Sequence, residues 1–289
     1  TEASQLAWLD PPPAAALAQA WELLLELGAV DQQHRLTPHG AQLARFGTHP
    51  RLAHLLLRGN ALGLGALACD IAALLEERDP CPGQGSDLEI RLRWLQHNQN
   101  GPQAALRQRI RQQARSWRQQ LPQLPSNKIE IPAQQAAGVL LAYAYPDRIA
   151  RRRAGQEGQG PRRYLTSQGR GAQVPAADAM AREEFIIAAW LEGGSEARIR
   201  LAAAISQEQL ERHHSDLSRC QDKLAWDTRE QAVLAQRQWC LGALVLRQQA
   251  LTEVRPEQIV QGLLAGIRSI GLDCLPWDEA AIRLRQRMN

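Results

Sequence analysis

Residues 163–206 read RYLTSQGRGAQVPAADAMAREEFIIAAWLEGGSEARIRLAAAIS, and the order of runs and breaks in this stretch decides the fold. Four short runs, RYLTS, GAQVP, EFIIAAWLE and ARIRLAAAIS, are separated by glycine, proline and acidic or polar turn formers. That spacing predicts the strands of a small antiparallel barrel. Just upstream, residues 136–145 form an apolar helical run, and before it LPQLPSNKIEIP, residues 121–132, reads as a linker with a boundary near Ser126.

Toward the N-terminus the period changes from strand to helix. Asp10 is expected to cap a helix whose first turn tolerates Pro11 to Pro13 and whose apolar face carries Leu17, Trp21, Leu24 and Leu25 until Gly28. AVDQQHRLT, residues 29–37, is hairpin-sized, and Thr37 with Pro38 starts another helix. Helix, hairpin and helix suggest a small winged-helix module. From Pro50, RLAHLLLRGNALGLGALACDIAALL is apolar on more than one face, as in a buried bundle helix or helix pair. After the turn-rich DPCPGQGS, Ser86 and Glu89 read as a capping box, and residues 98–102 end the helix that follows. The next helix carries Leu106, Ile110, Ala114, Trp117 and Leu121 on one face and Arg107, Arg111, Arg115 and Arg118 on its neighbour. That basic stripe is either a solvated face or a secondary binding surface. Beyond the barrel, KLAWD and GALVLRQQAL read as further strands, and Pro256 opens an amphipathic helix that ends near Gly271.

Composition narrows the function classes. The chain has 289 residues, a net charge of +4 and only two lysines among 34 basic residues. Between Arg107 and Arg170 stand 13 basic residues against three acids, so this stretch carries +10 and the remainder −6. A positive field confined to one part of the chain is the footprint expected for a polyanion. Five cysteines, Cys69, Cys81, Cys220, Cys240 and Cys274, lack any CxxC pair, and His213 and His214 lack completing ligands, so neither a disulfide framework nor a metal site is expected. No run of about 18 apolar residues could cross a bilayer, and residues 1–13 do not read as a secretory leader. A cytoplasmic protein without membrane contact is expected.

No GxxxxGK[ST] loop, GxGxxG, GxSxG, HExxH or DEAH-type acid cluster occurs, so no catalytic residue is nominated and no cofactor is expected to bind this chain. The better candidate is RIARRRAG with RRYLTSQGRGA: Arg148, Arg151, Arg152, Arg153, Arg162, Arg163 and Arg170 offer charge for phosphates, and Gly169 and Gly171 permit close backbone approach. Tyr164 is either a stacking ring or a barrel-core tyrosine.

At these residues a resemblance enters. RLTPHGAQLARFGTHPRLAHLLL, residues 35–57, resembles the junction of winged helix and ratchet-like bundle in DEAH-box helicases. YPDRIARRR and RYLTSQGRGA resemble the HrpB branch of that family, supported by GSDLEIRLRWL, EEFIIAAWLE, ARIRLAAAIS and GIRSIGLDCLPW. The resemblance implies a multi-domain α+β region that follows the motor of an ATP-dependent RNA helicase. Its parts would be a winged helix at 1–48, a helical bundle at 49–125, a linker helix with an OB-like β-barrel at 126–207, and an HrpB-specific C-terminal α/β extension, incomplete, at 208–289. It implies single-stranded RNA or DNA as partner, with Arg148, Ser167, Gln168 and Arg170 as the best contacts. The chain's own N-terminal motor domains would be a second partner, holding ATP and Mg in the full-length protein. The alternative is a protein-interaction scaffold that docks an acidic partner on its basic surface.

Overall fold

The computed structural model describes every residue except 1–6, 98–100, 124–130, 156–159, 195, 229, 231, 272–276 and 289. Two units make up the chain, Thr1–Ser215 and Asp216–Asn289. The expected boundary near Ser126 lies outside the described residues, as do the helix break at 98–100 and Cys274.

In the first unit, α1 (Ala14–Glu26) starts after the last proline and not at Asp10, because each residue that precedes a proline is driven out of the helical region. It ends at Gly28, whose φ of 65° suits only glycine here. One bridge, Val30 to Leu36, stands where a hairpin was expected. The Thr37 hydroxyl then accepts from the Gly40 N–H at 2.9 Å and caps α2 (Pro38–Ala44). A Cβ on Gly40 would collide with the Ala29 carbonyl, so α2 sits tightly on the bridge.

The apolar run from Pro50 is a helix pair, α3 (Pro50–Ala61) and α4 (Gly65–Glu76), turned at Gly63 with φ 75°. Helix α5 (Leu88–Gln96) is capped by Asp87, which accepts from the Glu89 N–H; the expected capping box at Ser86 does not form. Ser86 instead gives its N–H and hydroxyl to Asp178, so a longer-range partner has displaced the local one. Helix α6 (Ala104–Gln120) buries Ile110, Ala114 and Trp117 as its period predicts. Helix α7 (Ala133–Ala144) is buried at every position from Ala136 to Ala144. It packs on α3 and on the barrel, where Gly138 approaches the Ala204 carbonyl too closely for any side chain.

Five strands close the barrel in the order β1-β2-β3-β5-β4. They are β1 (Ile149–Arg152), β2 (Arg162–Thr166), β3 (Gly171–Val174), β4 (Phe185–Glu192) and β5 (Glu196–Ile205). All neighbours are antiparallel except β3 and β5, which corrects the expectation of a purely antiparallel barrel. The interior combines Tyr164, Ile186 and Ile199 with Ala150, Ala172, Ala188 and Ala202. Small residues on four strands make room for the one large ring. Ser206 then caps α8 (Gln207–His213) by accepting from the Gln209 N–H.

The second unit is an antiparallel sheet, β6 (Arg219–Asp227), β7 (Ala232–Leu241) and β8 (Leu244–Ala250), with helices α9 (Pro256–Ile270) and α10 (Glu279–Met288). Helix α9 stops at Gly271, φ 99°, as expected from sequence. Gly262 and Gly266 let it settle onto Val233 and Trp226 of the sheet. Among the described residues no helix is long and apolar enough to cross a membrane.

Candidate nucleic-acid interface

Helix α7 ends at Tyr145, and residues 146–148 form one turn of 3-10 helix that leads into β1. This turn is pinned from below. Arg51, near the start of α3, gives its guanidinium to the buried Asp147 carboxylate, with Nη2 to Oδ2 at 2.8 Å, and donates Nη1 to the Ala144 carbonyl at 2.9 Å. The Tyr145 ring meets two cations, with the Arg51 and Arg148 Cζ atoms 5.1 and 5.0 Å from its centroid. Burial raises the Tyr145 hydroxyl pKa, which keeps that ring neutral. Arg148 donates Nη1 to the Ala189 carbonyl at 3.0 Å and lies 3.6 Å from Asp147, which leaves it half-buried at the rim of a cleft.

The cleft holds about 830 Å³ and is lined by Arg148, by Gln168 and Arg170 of the β2–β3 turn, and by Gly193 and Gly194 of the β4–β5 turn. Gly169 makes the β2–β3 turn possible, with φ 80° and its N–H on the Thr166 carbonyl at 2.8 Å. Ser167 is buried and donates its hydroxyl to the Pro146 carbonyl at 2.8 Å, so it fixes the turn against Arg148 and is not itself displayed. Gln168 and Arg170 are exposed, and among the described residues the Arg170 guanidinium has no ion pair.

The rest of the expected site divides differently. Arg151 pairs with Glu184 at 2.8 Å, Arg152 donates to the Ala181 and Arg182 carbonyls, and Arg163 lies 3.8 Å from Glu196. Neither these nor Arg153 and Arg162 line the cleft. Tyr164 is fully buried, and its hydroxyl donates within 2.6 Å of the Met180 carbonyl and 2.8 Å of that of Glu183, so the stacking-ring expectation is corrected to a core tyrosine.

The stripe on α6 is corrected too, because three of its arginines are internal ties. Arg107 is 7% exposed, stacks 4.4 Å from the Trp94 ring and donates to the Trp94 carbonyl, while Arg111 donates to the Leu95 and Gln96 carbonyls. These are the last carbonyls of α5, which lack partners inside their own helix and draw positive charge. Arg118 is exposed but pairs with Asp70 of α4 and donates to the Ala66 carbonyl, and Arg115 is the exposed member without an ion pair among the described residues.

Sequence reasoning missed the acidic wall opposite Arg148. Glu22 and Glu26 of α1 line the same cleft with His49 and Arg51. Desolvation by the packed cleft wall, followed by the nearby Asp147 charge, pushes the Glu26 carboxyl up to about 7, an effect that solvent screening reduces because the residue is exposed. Burial and then the charges of Arg51 and Arg148 lower the His49 pKa, so the ring adds no charge near neutrality. Nothing in the local pattern of α1 marks Glu26, since its neighbours come from α3 and the turn after α7.

The chain is 35% identical over 295 aligned residues to the ATP-dependent RNA helicase HrpB of Escherichia coli strain K12, an alignment that takes in 100% of this chain and 33% of that protein. It superposes on the crystal structure of E. coli DExH-box NTPase HrpB with a TM-score of 0.70 at 35% identity, which covers 99% of this chain and 33% of that one. This chain matches the C-terminal region of HrpB-type DEAH-box helicases over its whole length. The family model of the HrpB connector region matches residues 217–251, which span β6 to β8. A more distant likeness is the human probable ATP-dependent RNA helicase DHX35, 39% identical over 70 residues, 24% of this chain and 10% of that protein. The chain therefore spans about a third of the length of its HrpB relative.

Proposed function

We propose that this HrpB-type region binds single-stranded RNA or DNA and guides it past the motor domains of an ATP-dependent RNA helicase. The observation that carries the reading is the convergence of Arg148, Gln168 and Arg170 on one open cleft, from two separate segments of the barrel. A guanidinium has five donors; Arg148 uses one on Ala189 and turns its Nε toward Asp147 at 3.6 Å, which leaves the remaining Nη donors for phosphate oxygens. Gln168 adds a neutral donor and acceptor for sugar or phosphate. The contacts position a strand without reading its bases.

The finer names of the modules belong to the same proposal. The closed order β1-β2-β3-β5-β4 supports an OB-like barrel, a fold whose exposed face and loops suit oligonucleotides. The α1–bridge–α2 segment supports a winged helix and α3 to α6 a ratchet-like bundle. ATP and Mg would be held by the motor domains of the full-length protein. The residues here do not fit them: no glycine-rich phosphate loop precedes a helix, and no three His, Cys, Asp or Glu among the described residues are grouped to hold a metal.

The test is fluorescence anisotropy of a labelled twelve-nucleotide poly(U) strand against salt. With about three phosphates neutralised, log affinity should fall against log salt with a slope near −2, at roughly −0.7 per contact for single strands. Absence of binding at low salt would remove the proposal.

A further inference from the structure

A second cleft, of about 620 Å³, borders the β4–β5 hairpin and shares no lining residue with the first. Leu191 and Ala197 line the first cleft, while Trp190, Glu192, Arg198, Ile199 and Arg200 line the second. Its other wall is the loop that leads into α5. That wall is rigid. Arg91, 2% exposed, is paired with Asp79 at 2.7 Å and donates to the Gly85 carbonyl at 2.7 Å, and the Ala202 N–H donates to the Ser86 carbonyl at 2.7 Å, which fastens the loop to β5.

Trp190 is 49% exposed on this cleft, at the point where the β4–β5 register shifts between Ala188, Trp190 and Leu191. A bulge of this kind re-aims the side chain it carries. A lone surface tryptophan would need no explanation; its electrostatic setting provides one. Each acid of the cleft is already engaged: Asp79 by Arg91, Glu192 by Arg200 and Asp178 by the Ser86 N–H and hydroxyl. Arg78 and Arg198 are exposed and have no ion pair among the described residues. Asp178 keeps its charge, so the four arginines and three acids of the lining leave a net +1, and an aromatic face that shares a cleft with two guanidinium groups free of ion pairs is the combination that stacks a base and meets the phosphates beside it.

We propose that Trp190, with Arg78 and Arg198, forms a second single-strand subsite in which one RNA base stacks on the indole. It rests on the reading of the chain as a single-strand binder, and the two can fail separately. The experiment measures binding of the twelve-nucleotide poly(U) strand by the full 289-residue chain and by its Trp190→Ala, Trp190→Phe and Arg198→Ala variants, with melting curves to confirm folding. Trp190→Ala should weaken affinity roughly tenfold with an unchanged salt slope, and Trp190→Phe should restore most of it. Arg198→Ala should make the slope shallower by about 0.7. In parallel, a strand that contains 5-iodouridine should crosslink to Trp190 on irradiation.

If Trp190→Ala melts normally and binds as the parent does, and no crosslink reaches Trp190, the subsite is overturned while the Arg148–Arg170 cleft stands. If Trp190→Ala is too unstable to measure, the Trp190→Phe variant and the crosslink decide. An absent crosslink then overturns the subsite. No RNA binding by the parent chain removes both readings.

Discussion

At the scale of single residues, the arginines of this chain do three different things that a helical wheel cannot separate. Arg107 and Arg111 satisfy the last carbonyls of α5, Arg51 neutralises a buried carboxylate, and Arg148 and Arg170 border a cleft. Sequence shows where charge lies along an element but not which distant carbonyl or carboxylate meets it, so the α6 stripe resembled a binding surface. Arg107→Ala should therefore lower the melting temperature and leave the salt slope of RNA binding unchanged. A flattened slope with unaltered stability would return the stripe to the interface. Tyr164→Phe should cost about 1 kcal/mol through the lost hydrogen bonds to Met180 and Glu183, read from chemical denaturation, with RNA affinity of the folded protein unaffected. Arg51→Met should be more damaging, about 3 kcal/mol, because it leaves the buried Asp147 carboxylate with only the more distant Arg148, 3.6 Å away.

Glu26 gives the cleft a pH dependence whose sign is fixed by its environment. Its carboxyl is pushed up from 4.5 to about 7, so between these values the folded chain binds more protons than the unfolded one. Stability contributed by this group is present in full below about 4.5 and is lost as pH rises through 7, by an amount that residual solvent access reduces. Glu26→Gln should narrow the difference in melting temperature between pH 5.5 and pH 8, and should strengthen RNA binding most at pH 8, where the parent presents an added negative charge to a polyanion. Equal pH profiles for parent and variant would show that Glu26 titrates normally.

At the scale of elements, legibility followed the contrast between runs and breaks. The runs RYLTS, GAQVP, EFIIAAWLE and ARIRLAAAIS became β2 to β5, since glycine and proline punctuate them and apolar residues recur within them. Strand β1 escaped notice because IARR puts only Ile149 and Ala150 inside, and the arginines that follow read as a loose basic cluster. Strand β7 escaped because Gln236 to Gln238 interrupt its apolar pattern on a partly solvated sheet. Helix starts were legible at Thr37 and Pro256, where the cap or proline acts within one turn. They were not legible at Asp10 or Ser86, where consecutive prolines or a partner 92 residues away prevail.

For the whole molecule, the basic segment between Arg107 and Arg170 dissolves into two structural roles and one candidate interface. Among the described residues of that segment, the turn after α7 and the β2–β3 turn, far apart in the local pattern, present positive charge to a common cleft. Of the contacts the family resemblance named, Arg148, Gln168 and Arg170 line this candidate cleft and Ser167 is buried beneath it, while the acidic wall from α1 depends on packing that no local pattern encodes.

The most direct measurement is the salt dependence of poly(U) binding by the Arg148→Glu, Arg170→Glu double variant beside the parent chain. The cleft reading predicts a variant that melts cooperatively, binds all single strands more weakly and loses about 1.4 units of log–log slope, the share of two phosphate contacts at roughly 0.7 each. A folded variant with the parent's slope and affinity would contradict it, and would place the strand on another surface of the protein.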